Sequence, residues 1–407
     1  MCRNIGRNKK LFRRCNESLA IIEEEIVRSS YHSLDNKKAW GQFLGYPHSI
    51  EQIGVYGTAT AVKTLSILGK TSDSDYIEGG ISWLLQSYND ANSRASSKKD
   101  WGVIYKLCYF LEALEPDSPE INEGSSFASY FHALKERILH GEGWGEYYYS
   151  NTDKDSNTSD IATAMALYAL RRFVPFSGSQ EGRDIVSRFC QRVLGLSNPN
   201  SITIALSTIV AATYTERHQS LKDDLTHLTR KLERKIHELG KNPGLSEYHH
   251  HFTVGGIETG KWENRYIFLP INAIVSYALI LSNNYKSNRK YVNRASSLYI
   301  ESILCNKAYC EPEEAPLKST VNQYWVALLL STFKDTQPIG MLKSILYSIR
   351  RNRLIYYPLL IAISLGILAV LFFTIPKLQN DPELNAVPFI LVLIADLIIH
   401  RIWYKGN

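Results

Sequence analysis

Residues 143 to 172 read GWGEYYYSNTDKDSNTSDIATAMALYALRR. An aromatic, Gly-bearing turn leads into a polar loop, and the loop leads into a helix of small and apolar residues that Asp160 is placed to cap. The helix has no polar face, so it must be covered on every side. Weaker copies of the pattern lie elsewhere in the chain: Trp40-Gly41 before GTATAVKTL, KKDWG before a helix ending YFLEAL, and Trp262 before AIVSYALIL.

Working outward, charged amphipathic segments alternate with apolar ones. A helix capped at Asn16 or Ser18 and running to residue 30 is followed by an Ala- and Thr-rich helix over 53 to 68. Amphipathic helices are expected at 77–88, 126–140, 183–195, 221–239 and 290–305, with apolar partners at 102–115, 158–172, 201–214, 265–282 and 320–333. Six helical hairpins at a period of about 45–60 residues form a repeat architecture in which no hairpin buries its own apolar face. Two closures fit, an open solenoid or a ring. The loops entering the apolar helices are long and rich in Gly, Trp, Tyr and His while several loops leaving them are short, and this asymmetry favours the ring. The expected fold is therefore all-α, an (α/α)6 toroid of six helical hairpins followed by a two-helix transmembrane hairpin.

The runs IEGGISWLLQSY, KKDWG and YFLEAL, and GWGEYYY with SDIATAMALYAL, resemble repeats of the α/α toroid superfamily that includes squalene-hopene cyclases and protein prenyltransferase β subunits. The resemblance is better in the first half of the chain. It implies a toroid and, by analogy, terpene cyclase-like or prenyltransferase-like chemistry. The residues depart from that chemistry, however. The cyclase general acid stands in D-x-D-D before Thr-Ala, but here Thr163-Ala164 follow Ser159-Asp160-Ile161-Ala162, with apolar residues where the last two acids belong. The prenyltransferase zinc set, an Asp and a Cys two apart with a distant His, has no counterpart either.

The net charge of +6 is mild, but Arg3, Arg7, Lys9, Lys10, Arg13 and Arg14 crowd the first fourteen residues without an acid. Residues 1–15 therefore form a basic arm, suited more to anionic lipid than to nucleic acid because of what ends the chain. The six cysteines are scattered, with no secretory segment ahead of them, and are read as reduced. From Leu354 to Ile375, LIYYPLLIAISLGILAVLFFTI is uncharged and about 33 Å long as a helix, enough to cross a bilayer. A turn and a second apolar run, Val387 to Ile399 with Asp396 inside it, complete a hairpin. Arg350, Arg351 and Arg353 before the first span, with Arg401 and Lys405 after the second, place both ends in the cytoplasm beside anionic inner-leaflet lipids. The domains are thus a basic arm over 1–15, a toroid over 16–335, a basic linker over 336–353 and a membrane hairpin over 354–407.

In a closed ring the inner helices run parallel, and their N-termini converge at the mouth that carries the elaborate loops. Candidates to line that rim are Trp40, His48, Tyr56, Trp101, Tyr105, Trp144, Glu146, Tyr147, Asp160, Trp262, Glu263, Arg265, Tyr266, Tyr324 and Trp325. The simpler reading is that the aromatics plug the ring. His249 and His251 are weak candidates for metal ligation, and Asp396 for a role within the membrane. No residue set identifies a cofactor or a reaction. The leading expectation is a membrane-tethered cytoplasmic module that binds or senses an anionic or amphipathic small molecule or a protein segment. An isoprenoid- or lipid-modifying enzyme and a membrane effector with an oligomerising hairpin are the alternatives.

Overall fold

A computed structural model describes residues 2–32, 36–44, 53–93, 104–139, 141–146, 158–239, 249–256, 261–268, 270–307 and 318–336. The chain divides into two compact units, and the one over residues 9–337 holds nearly all that is described. It is predominantly helical, as expected for an all-α protein. The expected membrane hairpin, with Arg350, Arg351, Arg353 and Asp396, lies outside the described residues. Among those described, no helix is long and apolar enough to cross a membrane.

Thirteen helices are described. In chain order they are α1 (Cys2–Arg28), α2 (Val55–Ile67), α3 (Asp75–Ser93), α4 (Ile104–Ala113), α5 (Ala128–Lys135), α6 (Asp160–Leu170), α7 (Val174–Ser177), α8 (Gln180–Gly195), α9 (Ser201–Thr215), α10 (Lys222–Leu239), α11 (Ile271–Leu281), α12 (Arg289–Leu304) and α13 (Thr320–Thr336). Apart from the four-residue α7, they fall into six pairs. One member is amphipathic (α1, α3, α5, α8, α10, α12) and the other is the more buried (α2, α4, α6, α9, α11, α13). The buried members pack in sequence, α2 on α4, α4 on α6, α6 on α9, α9 on α11 and α11 on α13, and α13 packs back on α2. Every residue of α6 after Asp160 is buried, as is Ser201 to Ala212 of α9. Their hydroxyls are satisfied within the helix, Thr60 and Thr64 by the carbonyls of Tyr56 and Thr60, Ser207 and Thr208 by those of Thr203 and Ile204.

The repeat visible in the sequence returns as one hydrogen-bond pattern made twice. Trp40 donates its indole N–H to Ile26 O in the last turn of α1 (2.7 Å) and its amide N–H to Thr58 Oγ1 of α2 (3.1 Å). Its carbonyl accepts from the N-cap residue Gly54. Trp144 does the same between α5 and α6: indole to Leu134 O (2.8 Å), amide to Thr163 Oγ1 (3.0 Å), carbonyl from the N-cap Ser159. Each tryptophan thus adds a second bond to a last-turn carbonyl of an outer helix, Ile26 O or Leu134 O, while fixing the start of an inner one. A Cβ at Gly57 would collide with the carbonyls of Trp40 and Gly41, so this crossing requires glycine. Two residues beyond each tryptophan a second link reaches the neighbouring inner helix. Gln42 O accepts from Thr320 N at the start of α13, and Glu146 O from Ile104 N at the start of α4, both at 3.0 Å. The first of these links joins the last inner helix to the first.

The short strands β1 (Tyr31–His32) and β2 (Lys38–Ala39) pair antiparallel, and β3 (Phe43–Leu44) pairs with β6 (Lys318–Ser319), again tying the two ends of the unit. The strands β4 (His249–Gly256) and β5 (Lys261–Phe268) form an antiparallel ribbon ahead of α11. This corrects the expected helix over 265–282. Trp262, Glu263, Arg265 and Tyr266 are strand residues, and the helix begins after Pro270, its N-cap. Proline disfavours helical geometry in the residue before it, so the apolar pattern cannot extend the helix upstream. His249 and His251 likewise lie in β4, in register with Phe268 and Tyr266, rather than in a loop. A second correction concerns α1, which begins at Cys2 and passes through the segment read as an arm. Ser18 does not cap it but returns its hydroxyl to Arg14 O (2.9 Å).

Because Thr58 and Thr163 make the same bond in the two repeats, Thr58→Val and Thr163→Val should each cost about 1–2 kcal/mol in chemical denaturation. Unequal costs would show that the repeats are not equivalent in energy.

Candidate functional site

Between the buried helices the side chains fall into three levels. Nearest their N-terminal ends stand Tyr105 and Glu146: the Tyr105 hydroxyl donates to Glu146 Oε1 (3.1 Å), which also accepts from Ser159 Oγ (3.3 Å). Below them Tyr105, Tyr109, Ile161, Met165, Leu206, Ile274 and Trp325 line a cavity of about 10 Å³, room for roughly one water. Tyr109 meets Tyr56 and Tyr324 edge-on at 5.8 and 5.9 Å, and its hydroxyl oxygen accepts from the indole of Trp325. At this level the space between the described helices is filled by their own side chains.

One turn deeper the lumen turns polar. Glu112 of α4, only 2 % exposed, receives both guanidinium nitrogens of Arg171, and Arg171 lies over the Tyr168 ring at 3.6 Å. Arg172 turns the other way and closes the end of α4 by donating to the carbonyls of Leu111, Glu112, Glu115 and Ser118. Burial works to raise the Glu112 carboxyl. The charge and hydrogen bonds of Arg171, with Lys63 and Arg172 behind them, outweigh it and hold the carboxyl below the ordinary carboxylate range. Burial pushes the Lys63 ammonium down to about 8 against the pull of Glu112. Burial raises the hydroxyls of Tyr277 and Tyr324 well above their ordinary value, with Tyr168 adding to it. Sequence reading passed over this level, although a lone acid in YFLEAL and the pair Arg171-Arg172 closing an apolar helix were its signals.

The expected rim residues separate. Tyr56 and Tyr105 reach the lumen, and Glu146 stands beside Tyr105. Trp40 and Trp144 are fully buried clamps between outer and inner helices, not rim. Tyr324 and Trp325 are 1 % exposed and plug the interior. Their apolar area and indole N–H groups are spent on the fold, which is the simpler reading of these aromatics. Asp160 is tied to Arg192 on α8 at 2.9 Å. His48, Trp101 and Tyr147 lie outside the described residues. Among the described residues no group of three or more His, Cys, Asp or Glu gathers to hold a metal ion. Cys15, Cys108 and Cys190 are buried thiols and Cys305 is an exposed one.

Comparison with protein-family models and with curated proteins finds no match.

Two outcomes follow for the deep level. Glu112→Ala leaves Arg171 buried without its anion and should cost about 3–5 kcal/mol, whereas Lys63→Met should stabilise by about 1–3 kcal/mol. The pH dependence has two limbs. The folded-state pKa of Glu112 lies below its unfolded value, so its contribution is present above the unfolded value and is lost as pH falls through the folded one. Lys63 binds fewer protons folded than unfolded between about 8 and the ordinary lysine value of 10.5. Stability should therefore rise across that window, and the rise should vanish in Lys63→Met, as read by denaturation midpoints.

Proposed function

We propose that the chain is a membrane-tethered binding or sensing module. A cytoplasmic (α/α)6 toroid holds an anionic or amphipathic ligand or a protein segment at its mouth, and the C-terminal hairpin keeps the toroid at the bilayer. The observation that carries this reading is the packed middle of the helical unit among the described residues. A space of about 10 Å³ between Tyr109, Met165 and Trp325 stands against the several hundred cubic ångströms that enclose a drug-sized or polyprenyl substrate. The cyclic packing of α2, α4, α6, α9, α11 and α13 supports the toroid, and Ile161 and Ala162 in the place of the cyclase acids support binding over catalysis.

The ligand we propose is anionic or amphipathic, or a protein segment. Among the described residues Glu146 has no cationic partner, and Asp160 with Arg192 is a neutral pair. Tethering rests on the apolar run Leu354 to Ile375, and orientation on Arg350, Arg351 and Arg353 beside it. Basic residues near an anionic surface add about 1 kcal/mol each.

In a cell fraction, the full-length protein should resist alkaline carbonate extraction and should be digested by protease added outside inside-out vesicles. Release by carbonate would remove the tether, and protection in such vesicles would reverse the orientation. Multiple-turnover conversion of a polyprenyl diphosphate by the purified protein would replace binding by catalysis.

A further inference from the structure

We propose that the ribbon of β4 and β5 binds one divalent transition-metal ion, of the zinc, nickel or copper kind, through His249 and His251, with water completing the coordination. The inference stands on the backbone register of the ribbon and does not depend on the binding-module reading. In the run HHHF three imidazoles follow one another, which does not by itself say which of them can act together. The register does. His249 stands opposite Phe268, His250 opposite Ile267 and His251 opposite Tyr266. Successive residues of a strand alternate between its two faces, so His249 and His251 share one face and His250 belongs to the other. Two residues along an antiparallel strand lie about 6.8 Å apart. Zinc–nitrogen bonds of about 2.1 Å hold two imidazole nitrogens no more than about 4.2 Å from each other. Each ring therefore leans inward by only about 1.3 Å to meet the other at a shared ion.

The charges of the ribbon are sorted to suit a cation. Its two basic residues, Lys261 and Arg265, pair with Gly256 and Phe252 and so stand on the face of His250. The face of His249 and His251 holds no Lys or Arg, and Tyr266 adds an oxygen donor to it directly opposite His251. Imidazole suits zinc, copper and nickel, whereas magnesium and calcium take oxygen ligands. Among the described residues no third His, Cys, Asp or Glu joins the pair. Two protein ligands are fewer than a structural zinc site uses, so the ion is exchangeable. The ribbon has a use for it. No third strand pairs with β4 or β5 among the described residues, and a two-stranded hairpin is marginal in water by itself. Chelation by residues two apart requires the extended chain, because in a helix such residues face apart. An ion that binds the formed strand and not the open one stabilises it by mass action. His249 and Phe268 pair at the end of the ribbon from which the chain enters α11 at Ile271, so the ion fastens the base of the ribbon beside an inner helix.

The test is calorimetric titration of the full-length protein in detergent with zinc chloride, nickel chloride and magnesium chloride. It is repeated on His249→Gln, His250→Gln, His251→Gln and the double variant of His249 and His251. The double variant gives the binding of all other histidines and cysteines as a baseline. Above that baseline one zinc or nickel ion per chain is expected, and no magnesium. His249→Gln and His251→Gln should each weaken the binding at least tenfold, while His250→Gln should change it less than twofold. That contrast separates a site on one face from a general affinity of three neighbouring histidines, which would weaken alike in all three variants. A second readout needs no variant. Zinc should protect His249 and His251 of the parent protein from acylation by diethyl pyrocarbonate, located by fragment mass spectrometry, and should leave His250 reactive. Zinc should also slow amide hydrogen exchange across residues 249–268 at least threefold in the parent and not in the double variant. Binding no tighter than the baseline, equal weakening by His250→Gln, protection of His250 along with its neighbours, or an equal response to magnesium would overturn the proposal.

Discussion

A helix that is apolar on all sides has to be covered on all sides, and that constraint shapes this protein more than any other. The buried helices meet it by packing on one another in cyclic order, with the amphipathic helices outside them. Polar residues survive inside because their hydroxyls turn back to carbonyls of the preceding turn, as at Thr60, Thr64, Ser207 and Thr208. Helix ends cannot be settled that way, so loops must come in to satisfy them. Trp40 and Trp144 do this with one pattern, and the bond from Thr320 to Gln42 extends it across the two ends of the unit.

The lumen is consequently unequal along its axis. Its middle is packed by Tyr109, Met165, Leu206 and Trp325, and its deep end holds Glu112 with Arg171 under a layer of tyrosines. A buried pair of this kind is weak ground for stability, since desolvating two charges offsets much of their attraction. Here Arg172, donating to four carbonyls at the end of α4, supplies the structural part, and Arg171, with Lys63 and Arg172 behind it, holds the Glu112 carboxyl below the ordinary carboxylate range against its burial. The mouth end is different again, for there Asn322 and Gln42 remain unpaired. The packed middle separates the two.

Much of the fold was legible because its signals are local. The spacing of apolar residues in SITIALSTIVAAT and SDIATAMALYAL marks helices without a polar face; the second is capped by Ser159, whose side chain accepts from Ala162 N, and not by Asp160 as expected, which is instead the first helical residue. The ribbon of β4 and β5 was misread because the helical pattern after Pro270 was carried too far upstream, past a residue that stops it. The site was less legible than the fold. Trp40, Trp144, Tyr324 and Trp325 are aromatics in or beside loops, and composition does not distinguish an aromatic that faces a ligand from one that clamps two helices.

By itself the sequence determined which helices are buried, how they alternate with the amphipathic ones, and that the cyclase acids are missing before Thr163. These follow from periodicity and residue identity, which are properties of neighbours along the chain. Only the tertiary structure decided that α13 returns to α2, that Glu112 meets Arg171 across fifty-nine positions, and that Asn322 is left without a partner. Those facts depend on groups far apart in sequence arriving at one point, and whether a buried amide is satisfied can be counted only once everything around it is in place.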